Sequence, residues 1–225
     1  MDRNDVDRII KEAQEQAKRV DLRRASLSMV DLSGVRLQGA NLNETDLYRA
    51  NLDDVDLYEA DMVFANLSKA TLRGGNLARV NMVFANLREA NLTGASLAGA
   101  NLSAADLSGV DLSGVNLSGA NLSEANLTNA DLSEANLSEA NLTEASLHNA
   151  NLSGANLCGA KLGFAHLEKA NLDRAKYDHR TEWRRGFNPA GTGAIEQKRW
   201  LRFIDRFVEA FIEEKGTTQI DIQTE

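Results

Sequence analysis

Leucine, or Met62, Met82 or Tyr177 in its place, stands at every fifth position from Leu22 to Tyr177, and Ala or Val usually lies two residues before it. The remaining three positions of each unit are mostly Asn, Asp, Ser, Gly, Glu or Arg. Thirty-two such units follow one another from Val20 to His179 without an insertion. Neither regular local structure holds every fifth residue on one face, because the direction drifts by about 140° per unit in a helix and flips by about 180° in a strand. Five residues must therefore form one side of a coil that closes and stacks. The central residue and the small residue two before it then point inward, and the other three face water.

The flanks follow a different period. Residues from Asn4 to Arg19 predict an amphipathic helix, with Val6, Ile9, Ile10, Ala13 and Ala17 on one side, Asn4 as N-cap, and Asp5 and Asp7 in the first turn. A bare coil end exposes unpaired strand edges and an apolar layer, so this helix is expected to lid the first coil. After the repeats, Thr181-Glu-Trp-Arg-Arg-Gly-Phe-Asn-Pro supplies Trp183 and Phe187 to cover the last layer. A second helix is predicted from Gly193 to Lys215, with Gly216 as its stop. Its apolar residues, among them Trp200, Ile204, Phe207, Val208 and Phe211, span roughly 180° of the circumference, whereas a lid needs about 100°. One reading caps the rod with part of this face and pairs the rest with the same helix of a second subunit as a two-fold homodimer; the other folds the whole arc over the last coil. The tail 217–225, where Ile220 and Ile222 alternate with polar residues, reads as an added strand or as unstructured chain.

Units such as Ala40-Asn-Leu-Asn-Glu and Ala150-Asn-Leu-Ser-Gly match almost letter for letter the A-(D/N)-L-x-x consensus of the pentapeptide-repeat family, which the chain resembles over about 160 of its 225 residues. The resemblance implies an all-β solenoid, a right-handed quadrilateral parallel β-helix with four units per coil. Thirty-two units then make about eight coils, and at an interstrand spacing of roughly 4.8 Å the rod is about 38 Å long. The expected organisation is an N-terminal capping helix over 1–19, the β-helix over 20–179, a C-terminal cap and helix over 180–216, and the tail. The segment after the repeats also resembles, more weakly, the T-x-(F/W)-x-x-G-F-(D/N)-P ending of cyanobacterial members.

Charge sharpens this picture. Residues 1–19 carry five acids and five bases, and 180–225 carry eight and eight. The repeats carry twenty acids against twelve bases, so the whole net charge of −8 sits there. From Glu89 to Ala160 there are eight acids and no Lys or Arg. Such a rod is expected to repel nucleic acid and anionic membrane and to favour basic partners. The charged N-terminus and the absence of a membrane-length apolar run lead to the expectation of a cytoplasmic protein. Cys158 is the single cysteine, so the solenoid is expected to hold by packing rather than by an internal disulfide.

Catalytic chemistry is not indicated. The many Asp and Ser residues would line convex faces, with no cleft to exclude water. His148 and His166 fall on one side of neighbouring coils and Cys158 about half a coil away, and two histidines alone make a poor metal site. Glycines such as Gly99 and Gly119 mark coil corners rather than a phosphate loop. No catalytic, cofactor or metal residue is predicted.

The departures from consensus are more informative. Units Ala60-Asp-Met-Val-Phe and Val80-Asn-Met-Val-Phe lie twenty residues apart, placing Val63 over Val83 and Phe64 over Phe84 as one outward apolar ladder. A contiguous exposed patch of this kind is a candidate interface, which Tyr48, Lys69 and Arg88 on the adjoining side would extend; the alternatives are an aromatic corner stack that only ties coils together and shelter of the ladder beneath one of the flanks. At the same corner Glu124 and Glu144 extend the acidic stretch. Three functions are compatible in kind. The first is a protein-interaction module binding a protein partner, as the resemblance implies for regulatory cyanobacterial members, including one in heterocyst differentiation. The second is a DNA mimic like the members that bind DNA gyrase. Against it, those resemble Phe-centred rods, often with projecting loops, whereas this chain is Leu-centred and uninterrupted. The third, recognition of ice or sugar by the column Thr93, Ser113, Ser133 and Ser153, lacks paired outward threonines. The interaction module is the reading adopted from sequence.

Overall fold

The computed structural model describes residues 1–197. Parallel bridges join each second residue of a unit to its equivalent twenty residues later, from Asp21↔Asn41 through Asn156↔Lys176. The chain therefore closes one coil every four units. Each side forms a single bridge rather than a longer strand, because five residues must supply both a side and a corner.

The corners are turns. The first residue of each unit donates its amide to the preceding centre, as Ala25 N–H does to the Leu22 carbonyl at 3.0 Å. At the fifth position φ is positive in every unit from Arg24 to Arg174, the geometry of a type II turn. Backbone accounting explains the consensus. Leu22 N–H donates to Asn41 O at 2.8 Å, Asn41 N–H to Val20 O at 2.9 Å and Arg24 N–H to Asn43 O at 3.0 Å. This leaves the fourth amide, which the side chain at the second position accepts: Ser33 N–H donates to Asp31 Oδ1 at 3.0 Å and Ser133 N–H to Asp131 Oδ1 at 2.9 Å. Asn or Asp thus recurs there because it completes the pairing of a backbone with no long strand. The same side chains also link coils, as in Asn151 Nδ2 donating to Asp131 Oδ1 at 3.0 Å.

The core runs the length of the rod. Central residues from Leu27 to Leu162 are 0 % exposed, and the small residues beside them are buried from Val35 to Ala165 wherever they are apolar. Thr45 takes one such small position at 0 % exposure and offsets its buried hydroxyl by donating to Leu22 O at 2.9 Å.

Helix α1 covers Arg3–Glu15, with Asp2 and not Asn4 as N-cap. Asp5 N–H donates to Asp2 Oδ1 at 3.0 Å and Asp2 N–H to Asp5 Oδ2 at 3.2 Å, a reciprocal box that Asn4 cannot close with Asp7 once Asp2 has started the helix. The helix also stops before Arg19. Ala17 turns left-handed at φ 51°, and Lys18 N–H donates back to Ala13 O at 2.8 Å, a Schellman ending that removes Ala17 from the apolar stripe. Val6 is fully buried in the rod's core, with Ile9 and Ile10 packed against it. Arg19 bridges onward, its guanidinium donating to Ala40 O at 3.0 Å and meeting Asp61 Oδ2 at 2.7 Å.

The ladder continues past His179. β1 (Lys161–Leu162) pairs in parallel with β3 (Glu182–Trp183), and β2 (Lys176–Tyr177) with β4 (Ile195–Glu196). The offset is twenty-one residues in the first pair and nineteen in the second, so one residue is inserted before β3 and the path from β3 to β4 is two residues shorter than that from β1 to β2. Thr181 consequently occupies an inward small position and donates to Leu157 O at 2.9 Å, as Thr45 does at the other end. Trp183 packs edge-on to Tyr177 at 5.6 Å and stacks on Phe187 at 5.2 Å over the last layer. The helix predicted from Gly193 does not begin there: Gly193 ends a short 3-10 turn, Pro189–Thr192, and residues 195–196 join the ladder. The rest of that prediction, with Trp200, Ile204, Phe207, Val208 and Phe211, lies outside the described residues. Among those described, no helix is long and apolar enough to cross a membrane.

Candidate functional site

Four units per coil give the rod four corners, and each corner carries a column of fifth-position residues one coil apart. One column reads Arg24, Glu44, Phe64, Phe84, Ala104, Glu124, Glu144 and Phe164. All are held in the left-handed region, with φ between 54° and 61°, so their side chains leave the rod at one repeated angle. This repetition makes the Phe64 and Phe84 rings near-parallel, 6° apart in plane and 5.0 Å between centroids. The rings remain 59 % and 53 % exposed, and Val63 and Val83 lie half-buried beside them. Offset stacking contributes about 0.5–1.5 kcal/mol between two rings, but each ring keeps an outer surface in water.

The column is electrically one-sided. Glu44 is met by both arms of Arg24, at 2.8 and 3.0 Å, and this side-chain hydrogen bond holds the Glu44 carboxyl below its ordinary range. Glu124 and Glu144, beyond Ala104, have no cation within ion-pair distance among the described residues. Phe164 ends the column, 77 % exposed.

The other predicted residues do not all join this patch. Tyr48 and Arg88 belong to the column of the next corner's fourth position and Lys69 to its fifth, one side further round the coil. Their charges are already engaged: Lys69 Nζ lies 3.5 Å from Glu89, Arg88 Nη1 lies 3.4 Å from Asp106, and the Arg49 guanidinium covers the Tyr48 ring at 5.2 Å. The acid-only stretch also divides. Glu124 and Glu144 share the aromatic corner, Glu134 sits on the opposite one, and Glu139, on a third, pairs with Arg180 at 3.0 Å. Glu134 lies across Gly154, where a Cβ would collide with its carboxylate. In the other half, Arg79–Glu59 at 3.2 Å and Arg73–Asp53 at 2.5 Å join acid to base one coil apart.

Other candidate chemistry is dispersed. Among the described residues no three His, Cys, Asp or Glu side chains converge where a metal ion would fit. Cys158 is half-buried, its amide donating to Asn156 Oδ1 at 3.2 Å. In the Ser/Thr column, the Thr93 hydroxyl turns to its own Asn91 at 2.7 Å. A depression near the first coil is lined by Asp21, Arg23, Arg24 and Glu44, whose charges cancel in pairs at 2.8 Å.

Comparison with known proteins agrees with this architecture. The family model for pentapeptide repeats matches eight copies, over residues 36–74, 81–119, 120–157 and 150–176. HetL, a pentapeptide repeat protein involved in heterocyst differentiation regulation in the cyanobacterium Nostoc sp. strain PCC 7120, is 34% identical over 69% of this chain and 79% of its own, with a TM-score of 0.42. A second pentapeptide repeat protein of Nostoc PCC 7120 is 38% identical over 45% of this chain and 84% of its own, with a TM-score of 0.45. QnrB1, a plasmid-mediated fluoroquinolone resistance protein, shares the fold at a TM-score of 0.63, with 18% identity over 84% of this chain and 89% of its own. Among curated proteins there is no sequence match. The tandem five-residue units, the twenty-residue ladder and the matches over most of the repeats together make this chain a member of the pentapeptide-repeat family.

Proposed function

We propose that this protein is a non-enzymatic protein-interaction module, a rod whose aromatic corner binds a protein partner. The observation that carries the reading is the Phe64–Phe84 stack, more than half exposed on a rod whose other three corners carry Gly, Asn, ionisable residues and a single apolar side chain, Met29, at their fifth positions. An exposed apolar patch rimmed by polar groups is the ordinary mark of an interaction surface. The ladder holds it rigid, so a partner meets a pre-organised surface and little ordering entropy opposes binding.

A DNA-mimic reading, with gyrase or another DNA-binding protein as partner, is favoured by the net charge of −8. It is weakened by the geometry, because the acids of the 89–160 stretch occupy different corners and many elsewhere are paired to Arg or Lys. The homodimer through Trp200, Ile204, Phe207, Val208 and Phe211 is a separate proposal, tested by the mass of the chain in solution.

The test is affinity capture from a lysate of the source cell, comparing wild type with Phe64→Ser/Phe84→Ser after confirming equal thermal midpoints. A protein retained by wild type and lost by the variant supports the module. Capture of the same proteins by both forms would count against it, and a DNA-binding enzyme held equally by both would favour the mimic.

A further inference from the structure

The aromatic corner has a direction. Along its column the side chains run apolar at Phe64 and Phe84, small at Ala104, acidic at Glu124 and Glu144, and apolar again at Phe164. On the near side the sole acid, Glu44, is neutralised by Arg24 at 2.8 Å. The neighbouring fourth-position column, Val63, Val83, Ser103, Ser123, Thr143 and Gly163, carries no charge. Among the described residues neither carboxylate has a cation within ion-pair distance, and Lys161, exposed one coil beyond the Glu144 unit, pairs with neither, so both are open to cations of a partner.

Spacing selects the form of the partner. At roughly 4.8 Å per coil, Ala104, Glu124, Glu144 and Phe164 stand about 5, 10, 14 and 19 Å beyond Phe84. A helix laid along the rod rises about 1.5 Å per residue, and residues i, i+3, i+7, i+11 and i+14 share one face. These advance by about 4.5, 10.5, 16.5 and 21 Å, a mismatch that flexible Lys, Arg and Glu side chains absorb. An extended strand advances about 3.3 Å per residue and alternates faces. Its residue i+3 reaches Glu124 pointing away from the rod, and the facing residue i+2 stops about 3 Å short of it, so the strand meets the two acids less evenly than the helix does.

We infer that the corner from Phe64 to Phe164 receives an amphipathic basic helix of a partner protein, lying along the rod axis. Its apolar anchor sits against Phe84, a second apolar residue one turn on covers Ala104, Lys or Arg at i+7 and i+11 meet Glu124 and Glu144, and an apolar residue near i+14 reaches Phe164. This rests on the aromatic-corner reading and adds the chemistry, conformation and orientation of what binds.

The test is selection of random 18-residue peptides displayed on phage against the full-length protein, with depletion on Phe64→Ser/Phe84→Ser. Enriched peptides are then synthesised and titrated against wild type, Glu124→Gln/Glu144→Gln and the opposite-corner control Glu134→Gln. The expected peptides carry cations seven and eleven residues from an apolar anchor and become helical when bound. They should weaken about three- to tenfold on Glu124→Gln/Glu144→Gln, remain unchanged on Glu134→Gln, and lose the difference at high salt. Peptides that depend on the phenylalanines but not on the glutamates, or that bind extended, would overturn this inference and leave the aromatic corner standing. Failure of any peptide to distinguish wild type from the phenylalanine variant would overturn both. Self-association of the full chain that vanishes in that variant would assign the corner to a second copy and overturn the basic helix.

Discussion

At the scale of single residues, the fifth position of the unit controls both shape and surface. Its left-handed backbone costs an L-residue other than Gly or Asn about 1–2 kcal/mol, yet Phe64, Phe84, Glu124 and Glu144 all occupy it. At Phe64 and Phe84 ring stacking offsets part of this cost; Met29, 69 % exposed at φ 60°, has no such compensation in aromatic or charge contacts. Met29→Asn should therefore raise stability by up to about 1 kcal/mol in urea unfolding, with no change in the slope. Carboxylates at the second position give a pH dependence. The Asp31 carboxyl is lowered by the hydrogen bond from the Ser33 amide, that of Asp46 by the Ser28 hydroxyl, and that of Asp53 by Arg73. Because these folded values lie below the unfolded value of about 3.9, the unfolded chain binds protons first as pH falls. The associated stability is complete above that value and is lost below it. The thermal midpoint is expected to be level between about pH 5 and 8 and to fall below about pH 4. A midpoint that rises on acidification would refute this assignment.

At the scale of the element, each side is a single bridge held to its neighbouring coil by backbone hydrogen bonds, and side-chain ladders add to that lateral cohesion. Asn101 donates to Asn81 Oδ1 at 3.4 Å, accepts from Asn121 Nδ2 at 3.1 Å and receives the Ser103 amide at 3.3 Å. Asn101→Ala should cost about 1–3 kcal/mol by leaving partners unmet. The inward Leu102→Ala should cost about 2–5 kcal/mol. Equal stability of Asn101→Ala and wild type in urea would show that the ladder is decorative. The five-residue period and the inward positions were legible from sequence, because a stacked coil tolerates so few residues at its centre. The ends were less so. Asp2 and Asn4 are both competent caps, and only the reciprocal bond with Asp5 decides between them. The inserted residue before Thr181 was hidden because the ladder there continues in residues that no longer follow the consensus, and the expected helix start at Gly193 is a 3-10 turn followed by β4.

At the scale of the whole molecule, the rod converts a linear repeat into four distinct columns. Counting units in fours from the sequence already stacks Phe64 on Phe84, and it also divides Glu124 and Glu144 from Glu134 and Glu139. The acid-only stretch is therefore not one surface. What sequence could not supply was the pairing: Lys69 and Arg88 are consumed by Glu89 and Asp106, a matter of side-chain reach between coils. The resulting surface is asymmetric: one corner carries the stacked rings and two acids that no described cation meets, and the opposite corner carries Gly, Ser and Thr with a few charges, Glu134 among them. The most direct measurement of the central claim is site-specific photo-crosslinking in the source cell, with a benzoyl-phenylalanine at Phe84 in one variant and at Ser113, on the opposite corner, in another. A partner bound at the aromatic corner gives a discrete crosslinked protein from position 84 and none from position 113; the same adduct from both positions, or one from 113 alone, would rule that corner out as the binding surface.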